Sequence, residues 1–321
     1  MRVSMLRLEL IKSFLLAAVS TILLFLSGVA IPIVGVLMIP LVPQPALAFG
    51  LKWGRGHGAV LVALVAFLLA LFGGKELALG YSLLALMVLL LLFSFGRDWP
   101  IEAVVAGTAG GMLLVASAVL GYFFGSFTLM QRVLRATLTE NLEISVKVYE
   151  KVGFSGESLE MLRERAPQII DVVLRIMPAL AFMAFVTVIL INLFFLYRRF
   201  PHQHASFVAA GDMREWKSPE PLVWCFILAG FSLFLPAGEW LKSLALNLFL
   251  IVAVFYFLQG LAIVAYYFHH KNVPYFLRSL AYVLIVFEQL FTLFVVGLGL
   301  FDLWGDFRRL KKKDLNPSQA S

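Results

Sequence analysis

The feature that most constrains this chain is a set of long apolar runs that recur along its whole length. The last of them, residues 276–301, holds 26 residues, and a helix of that length crosses the hydrocarbon core of a bilayer with some tilt. Because lipid offers no partner to unpaired backbone polar groups, such runs must be helical. A transmembrane barrel would instead show short segments of alternating polarity. The sequence therefore predicts an all-α, polytopic transmembrane helix bundle.

The composition places the chain outside the range of soluble domains. Hydrophobic residues make up 61% of the chain and charged residues 14%, with a mean hydropathy of +0.93, whereas soluble domains contain about 25% charged residues. The net charge is +7, but the basic residues lie between and beside the apolar runs, where they set topology. We therefore expect the lipid bilayer, and no nucleic acid, as a partner. The lone Cys225 allows no intramolecular disulfide and no cysteine metal cluster, and the sequence predicts no cofactor.

The apolar runs predict about eight membrane crossings. The first run follows Arg2, Arg7 and Lys12 as a signal peptide would, but further runs follow at once and favour an uncleaved first helix. With eight crossings and both termini in the cytoplasm, most Lys and Arg residues lie on the inner side, as the positive-inside rule requires. Either segment 31–51 or the short run 222–235 is the one that does not cross. The predicted crossings come from runs 13–30, 59–72, 77–95, 101–124, 176–197, 222–235, 241–268 and 276–301. The second and third of these runs are joined by the short glycine turn Gly73-Gly74-Lys75-Glu76.

Residues 31–51 interrupt this pattern with four prolines, Pro32, Pro40, Pro43 and Pro45. Each proline removes a backbone donor and clashes with the preceding turn, so the segment cannot form one regular helix. Irregular backbone at membrane depth is tolerated only where protein buries it or where it lines a cavity. The sequence therefore predicts a broken or re-entrant element inside the bundle. Pro40, Pro43 and Pro45 either shape a solute cavity, as broken helices do in transporters, or serve re-entrant packing alone.

The only long polar stretch of the sequence, residues 128–175, predicts an amphipathic helical hairpin at the membrane surface. Leu134, Leu138 and Leu142 keep a helical stripe, and Gly153 begins the break between the two helices. The hairpin is too short for a separate enzyme domain. The predicted domains are an N-terminal transmembrane part (1–127), the hairpin (128–175), a C-terminal transmembrane part (176–310) and a basic, disordered tail (311–321).

Three stretches carry a recognisable pattern. They are Phe257-Leu258-Gln259-Gly260-Leu261-Ala262, the run from Gly299 to Arg308, and Asn192 ahead of Arg198-Arg199. Together they resemble the YybS-like family of uncharacterised bacterial integral membrane proteins, over about residues 12–310. The resemblance implies a multi-pass protein of the inner (cytoplasmic) membrane, and the family carries no established activity.

The first 125 residues are more distantly similar to the substrate-binding S-components of energy-coupling-factor vitamin transporters and to the shape-determining membrane protein MreD. The shared features are a first span, a proline-broken segment that ends in a glycine-rich basic turn, and short spans after it. This similarity lies at the level of the fold, which does not by itself determine function, and only the likeness to S-components suggests small-solute binding. The hairpin and the additional C-terminal spans depart from the compact six-helix S-component.

Polar side chains inside the apolar runs are the candidate solute-binding residues. Glu288 stands near the middle of the last run, where a carboxylate costs about 2.5–3.5 kcal/mol on insertion scales and is functional by default. We expect Glu288 inside the bundle with Gln259, Asn247 and Asn192, where the four side chains bind a polar solute. The alternative is that the three amides and a neutral Glu288 tie helices together by hydrogen bonds.

The end of the last run carries a cluster of charges. Asp302, Asp306 and Arg308 predict an interfacial ion-pair cluster with a structural role. The histidines lack a third ligand at the spacing of a metal site, so we expect no bound metal. The sequence contains no phosphate loop, HExxH or GxSxG motif, and we expect no enzymatic activity.

Two functions remain open from the sequence. The first is small-solute binding or transport of the S-component-like kind, with Glu288, Gln259 and Asn192 near the site, for which Glu288→Gln should abolish binding. The second is a non-catalytic cell-envelope scaffold, in which the hairpin and the basic tail dock another membrane or envelope protein. Deletion of the hairpin should then destroy function while Glu288→Gln has no effect.

Overall fold

The structure is a computed structural model that describes residues 2–153, 156–200, 212–236 and 238–310. The predicted basic tail, residues 311–321, lies outside the described residues. Within them the chain forms eleven α-helices, one 3₁₀ turn (Ile39–Leu41) and no β-strand. The helices are α1 (Arg2–Ala30), α2 (Pro32–Met38), α3 (Gln44–Trp53), α4 (Arg55–Ser94), α5 (Ile101–Phe124), α6 (Phe127–Val152), α7 (Gly156–Arg199), α8 (Leu222–Phe234), α9 (Glu239–His270), α10 (Tyr275–Phe287) and α11 (Gln289–Gly305).

Internal contacts group the chain into two compact units. The first comprises Met1–Phe127 with Ala184–Ala210, and the second comprises Thr128–Met183 with Gly211–Ser321. The α7 helix therefore begins in the second unit and ends in the first. The predicted hairpin belongs to the second unit, together with the helices α8 to α11.

The helices confirm an all-α, polytopic membrane bundle. Six stretches of the described chain are long and apolar enough to cross a membrane, and the bent pair α10 and α11 makes a seventh if it counts as one span. Between 28% and 44% of the most apolar window of each of the six is buried within the chain, so most of this apolar surface faces outward, where lipid covers it. The predicted total of about eight crossings stays a prediction. The six stretches are Met5–Ala30, Val34–Trp53, Arg55–Ser94, Ile101–Phe124, Leu159–Arg199 and Glu239–His270.

The α4 helix folds back on itself at Gly74. A straight helix of its 40 residues would be about 60 Å long. Its ends nevertheless meet, because the Arg55 guanidinium donates to the Phe95 carbonyl and a Cβ atom on Gly58 would lie 2.8 Å from Leu92 Cδ1. Gly74 makes the reversal with φ 83° and ψ 172°, a conformation that glycine adopts without a steric penalty. The two arms correspond to the two separate runs that the sequence predicts on either side of a glycine turn.

The proline-rich segment is broken, as predicted. It consists of α2, the 3₁₀ turn and α3, with Pro40 inside the turn, Pro43 immediately before α3 and Pro45 in the first turn of α3. These positions are the ones where a missing N–H is tolerated. Val42 and residues 46–50 of this segment are buried within the first unit. Whether the segment crosses the membrane stays a prediction.

The last apolar run is not the continuous helix that its length predicts. The α10 helix ends at Phe287 and α11 begins at Gln289, with a bend of 99° between them. Glu288 has an extended backbone at the break, with φ −101° and ψ 115°. The Thr292 hydroxyl donates to the Ile285 carbonyl at 2.5 Å, which satisfies one of the acceptors that the end of α10 leaves free. Hydropathy conceals the break because both halves are apolar.

The α9 and α11 helices pack with their backbones in contact at two glycines. A Cβ atom on Gly299 would lie 1.9 Å from the Tyr256 carbonyl oxygen, and one on Gly260 would lie 2.0 Å from the Val295 carbonyl oxygen. No side chain fits at either position, so only glycine permits this approach. Small residues are the usual means by which membrane helices pack closely. The two glycines thereby fix the register of α9 against α11.

We expect Gly299→Ala to destabilise the protein by about 1–3 kcal/mol or more, because its methyl group overlaps the α9 backbone and the helices must separate. The measurement is the unfolding temperature of the full-length protein in a single detergent. Gly297→Ala is the matched control on the same helix, since a Cβ atom there would meet nothing within 4 Å. A Gly299→Ala protein that unfolds at the temperature of Gly297→Ala would contradict the close packing.

Candidate functional site

A cluster of buried polar side chains lies next to the two packing glycines. Gln259 directly precedes Gly260 on α9, and Asp302 follows Gly299 by three residues on α11, so both side chains project from the helix contact. Ser218 precedes α8, and Arg308 follows α11. Ser218, Gln259, Asp302 and Arg308, which we call the Asp302 cluster, are each at most 3% exposed.

The members of the Asp302 cluster bond to one another. Asp302 Oδ2 accepts from Gln259 Nε2 at 3.0 Å and from Arg308 Nη2 at 2.8 Å. Asp302 Oδ1 accepts from the Phe307 N–H at 2.9 Å. Gln259 Oε1 accepts from the Ser218 hydroxyl at 2.5 Å and from its N–H at 3.1 Å. The carboxylate and the amide are therefore saturated by groups of the same chain.

Arg308 also holds the polar segment that precedes α8. Its Nη1 donates to the carbonyls of Arg214 and Trp216, at 2.7 and 3.0 Å. Within this segment the Asp212 carboxylate accepts three hydrogen bonds from the Arg214 side chain, between 2.6 and 3.0 Å. The hydrogen bonds from Arg214 hold the pKa of the Asp212 carboxyl below its ordinary value. Arg214 is therefore held at two points, because its side chain donates to Asp212 and its carbonyl accepts from Arg308.

The predicted ion-pair cluster exists in part, with one partner that the sequence did not indicate. Asp302 pairs with Arg308, and both side chains are fully buried within the protein. Asp306 Oδ1 pairs with Lys217 Nζ at 3.1 Å and accepts from the Leu310 N–H at 3.1 Å. Ser218 and Lys217 lie in a loop that carries no sequence motif. Only the structure, which places them beside a buried helix end, shows that they take part in these contacts.

Asn247 repairs a break in α7 at Pro178. In a regular helix the Ala179 N–H would donate to the Arg175 carbonyl. Here the Ala179 N–H donates to Asn247 Oδ1 at 2.9 Å, and Asn247 Nδ2 donates to the Arg175 carbonyl at 2.8 Å. One amide side chain of α9 therefore replaces both ends of one helical hydrogen bond. This insertion explains how α7 tolerates an interior proline.

Asn192 has a comparable role in the first unit. Its Nδ2 donates to the Pro40 carbonyl at 2.8 Å and to the Val188 carbonyl at 2.8 Å. Because Pro43 has no N–H, the proline-rich segment is short of backbone donors, and Asn192 supplies one from α7. Its side chain is fully buried.

The three predicted solute-binding residues of the second unit, Asn247, Gln259 and Glu288, do not come together at one site. Glu288 is exposed at the break between α10 and α11, so the expectation that it lies inside the bundle is wrong. Asn247 and Gln259 are both on α9, about 18 Å apart along the axis, and each serves a different contact. Asn192 belongs to the first unit. A role of these residues in solute binding stays a prediction.

An open cleft lies instead in the predicted hairpin, between α6 and the first turns of α7. Its volume is about 610 Å³. One ion pair stands near each end, between Arg135 and Asp171 and between Arg163 and Glu150. The lining alternates apolar and charged side chains, and it consists of Arg135, Thr139, Leu142, Glu143, Val146 and Lys147 from α6 and Arg163, Ala166, Pro167 and Ile170 from α7.

Helical spacing explains the two faces of this cleft. The lining residues recur along each helix at the spacing that places side chains on one face. They are residues 135, 139, 142, 143, 146 and 147 on α6 and residues 163, 166, 167 and 170 on α7. The sequence predicts helices in this stretch, and the structure forms α6 and the first part of α7 there; the place of the hairpin at the membrane surface stays a prediction. The sequence does not show that the facing sides of α6 and α7 leave a cleft between them, because that depends on how the two helices pack.

Comparison with known proteins identifies the family. The family of predicted membrane proteins called DUF2232 matches residues 19–303. The chain belongs to this family. It is similar to the uncharacterized protein YybS of Bacillus subtilis (strain 168), with 25% identity over 288 residues that cover 86% of this chain and 89% of that protein. No solved structure matches the chain.

Family membership confirms the predicted resemblance to YybS-like proteins, whereas the distant similarity to S-components and MreD stays a prediction. Two of the three stretches that carry the resemblance meet in the structure. Gln259 and Gly260 come from the first stretch, and Gly299, Asp302 and Arg308 come from the second. In this DUF2232 chain these two stretches form a helix contact and the polar cluster beside it.

We expect Asp302→Ala to destabilise this DUF2232 protein by about 3–5 kcal/mol, because it leaves the buried Arg308 guanidinium without its carboxylate. Replacing both residues, as in Asp302→Ala with Arg308→Met, should restore part of that loss. The matched control is Glu150→Ala, which removes an exposed ion pair with Arg163 and should cost at most about 1 kcal/mol. Unfolding temperatures of the variants in one detergent decide between the outcomes, and equal losses for Asp302→Ala and Glu150→Ala would contradict the burial of the cluster.

We expect Asn247→Leu to be destabilising because it leaves the Ala179 N–H and the Arg175 carbonyl unpaired at membrane depth. In a background of Pro178→Ala the helical hydrogen bond can re-form, so Asn247→Leu should then cost less. A double-mutant cycle on unfolding free energies measures this coupling. Additive effects of the two substitutions would show that Asn247 does not serve the proline break.

Proposed function

We propose that this chain is a membrane-embedded binding protein for a small solute, and that the hairpin cleft is its binding site. The observation that carries the proposal is the cleft itself, with an apolar floor, charged rim and a volume of about 610 Å³. Pockets for small molecules measure about 300–1,000 Å³ and combine apolar walls with a few polar groups. The cleft fits both criteria.

Three of the polar residues elsewhere, Asp302, Gln259 and Asn247, support this placement because they already form hydrogen bonds within the chain. Asp302 and Gln259 have their hydrogen bonds filled within the chain, and Asn247 bridges the break at Pro178. A solute would have to displace these bonds at a large desolvation cost. The cleft offers charged groups at its rim without that cost.

We propose binding without covalent chemistry, in the inner membrane with both termini in the cytoplasm. The bias of Lys and Arg in the sequence supports this topology. With eight crossings in which segment 31–51 is the one that does not cross, four spans precede the hairpin, and the hairpin and its cleft then lie on the cytoplasmic side. Transport of the bound solute is the activity that the S-component-like pattern of the first 125 residues favours.

A second candidate function rests on a different face of the hairpin. Ile144, Val148 and Val152 form an apolar stripe along α6 and are 53%, 53% and 70% exposed. A stripe with this spacing suits an amphipathic helix of a partner. In this alternative the protein is a scaffold that docks another membrane or envelope protein through the hairpin.

Native mass spectrometry of the full-length protein in mild detergent tests both candidates. Ala166→Trp fills the cleft from its floor, so we expect a small molecule that accompanies the wild type to be lost from this variant. Ala136→Trp is the matched control, because Ala136 is an exposed residue of α6 that does not line the cleft, and it should keep the ligand. Thermal unfolding checks that both variants are folded.

The opposite results would overturn the solute proposal. They are a ligand that persists in folded Ala166→Trp, or the lack of any ligand in the wild type together with a protein partner that Val148→Glu removes. The second result favours the scaffold, because Val148 lies on the exposed stripe and outside the cleft lining.

A further inference from the structure

The cationic side chains of the cleft have donors to spare. Three of the four ionised residues that line it are basic, namely Arg135, Lys147 and Arg163. Each guanidinium has five N–H donors, and each ion pair at the ends of the cleft joins one Nη2 atom to one carboxylate oxygen. The cleft therefore presents more donors than acceptors, which is the condition for binding an anionic group.

Lys147 is the cation best placed to receive that group. In the part of the chain that the structure describes, no carboxylate lies within ion-pair distance of its ammonium group. It follows the buried Val146 on α6 and lies close in sequence to Glu150, whose partner Arg163 lines the cleft from α7. An anion at Lys147 would thus lie at the end of the cleft that is nearer the turn of the hairpin.

The rest of the cleft is suited to an apolar body. Leu142, Val146, Ala166, Pro167 and Ile170 supply its apolar surface. The apolar residues of the α6 wall, Leu142 and Val146, stand four positions apart, about 6 Å of helix, which is shorter than one hydrocarbon leaflet of about 15 Å. The cleft therefore accommodates a short apolar body and not a full lipid chain.

The cleft also lies close, along α7, to a predicted membrane span. Ile170, its last lining residue on α7, precedes the predicted run 176–197 by six residues, about 9 Å of helix. Molecules with a charged head and an apolar body collect at a membrane interface. A ligand of this class reaches the cleft without leaving the membrane surface.

We infer that the ligand of the cleft is a short amphiphilic organic anion, with its anionic head on Lys147 and its apolar body along Leu142, Val146 and Ala166. This inference rests on the proposed function and specifies the chemical class of the solute.

Octanoate and octanamide are the probes that test it. They have the same apolar body and differ in charge, so their binding to the full-length protein in lipid nanodiscs isolates the contribution of the anion. Saturation-transfer NMR measures the binding, with empty nanodiscs as the reference for partition into lipid. We expect the protein to bind octanoate at least about tenfold more tightly than octanamide, which corresponds to one charge-assisted hydrogen bond.

The variants distinguish failure of this inference from failure of the proposed function. Lys147→Ala should abolish the preference for octanoate, and Lys151→Ala, an exposed lysine one turn further along α6 and outside the lining, should retain it. Ala166→Trp should abolish binding of both probes. If the two probes bind equally and Ala166→Trp abolishes the binding of both, the inference that the ligand is an anion is overturned and the solute site is not. Octanoate that binds Ala166→Trp as it binds wild type would overturn both.

Discussion

The structure depends on one constraint of the bilayer, which is that backbone polar groups at membrane depth must find partners within the protein. The chain places prolines where this constraint is hardest to meet, inside α7 and in the segment before α3. Side-chain amides resolve the problem at both places. Asn247 substitutes for a missing helical hydrogen bond at Pro178, and Asn192 donates to the Pro40 carbonyl. Broken helices thus remain compatible with burial.

The same residues show how far the sequence alone predicts the structure. Apolar runs identify the membrane helices, because length and hydropathy are properties of each segment by itself. The glycine turn at Gly74 and the breaks at Pro40 and Pro43 are also local, and they are predicted correctly. The polar residues Asn192 and Asn247 are recognisable as exceptions within apolar runs. Their partners are not, since a backbone carbonyl more than 60 positions away leaves no trace in the pattern.

The break at Glu288 shows the limit of the same reasoning. A run of 26 apolar residues predicts one helix, and an ionisable residue near its middle predicts a buried functional group. Both inferences assume that the run is straight. The run is instead bent by 99°, so that assumption is wrong, and Glu288 at the bend is exposed. Conversely Asp302, which the sequence places at an interface, is fully buried because Gly260 and Gly299 bring α9 and α11 into backbone contact.

Polar groups whose hydrogen bonds are already formed within the chain differ from polar groups with free donors in their capacity to bind a ligand. The Asp302 cluster is buried, and its carboxylate and amide oxygens already accept hydrogen bonds from the same chain. These bonds stabilise the contact between α9 and α11 and the position of the loop before α8. A ligand cannot compete there without first breaking those bonds. In the hairpin cleft the ion pairs are exposed, each guanidinium retains donors, and the apolar floor is open. Binding there breaks no hydrogen bond within the chain of the kind that holds the Asp302 cluster. A solute site is therefore better sought in the most polar part of this DUF2232 chain than among its intramembrane polar residues.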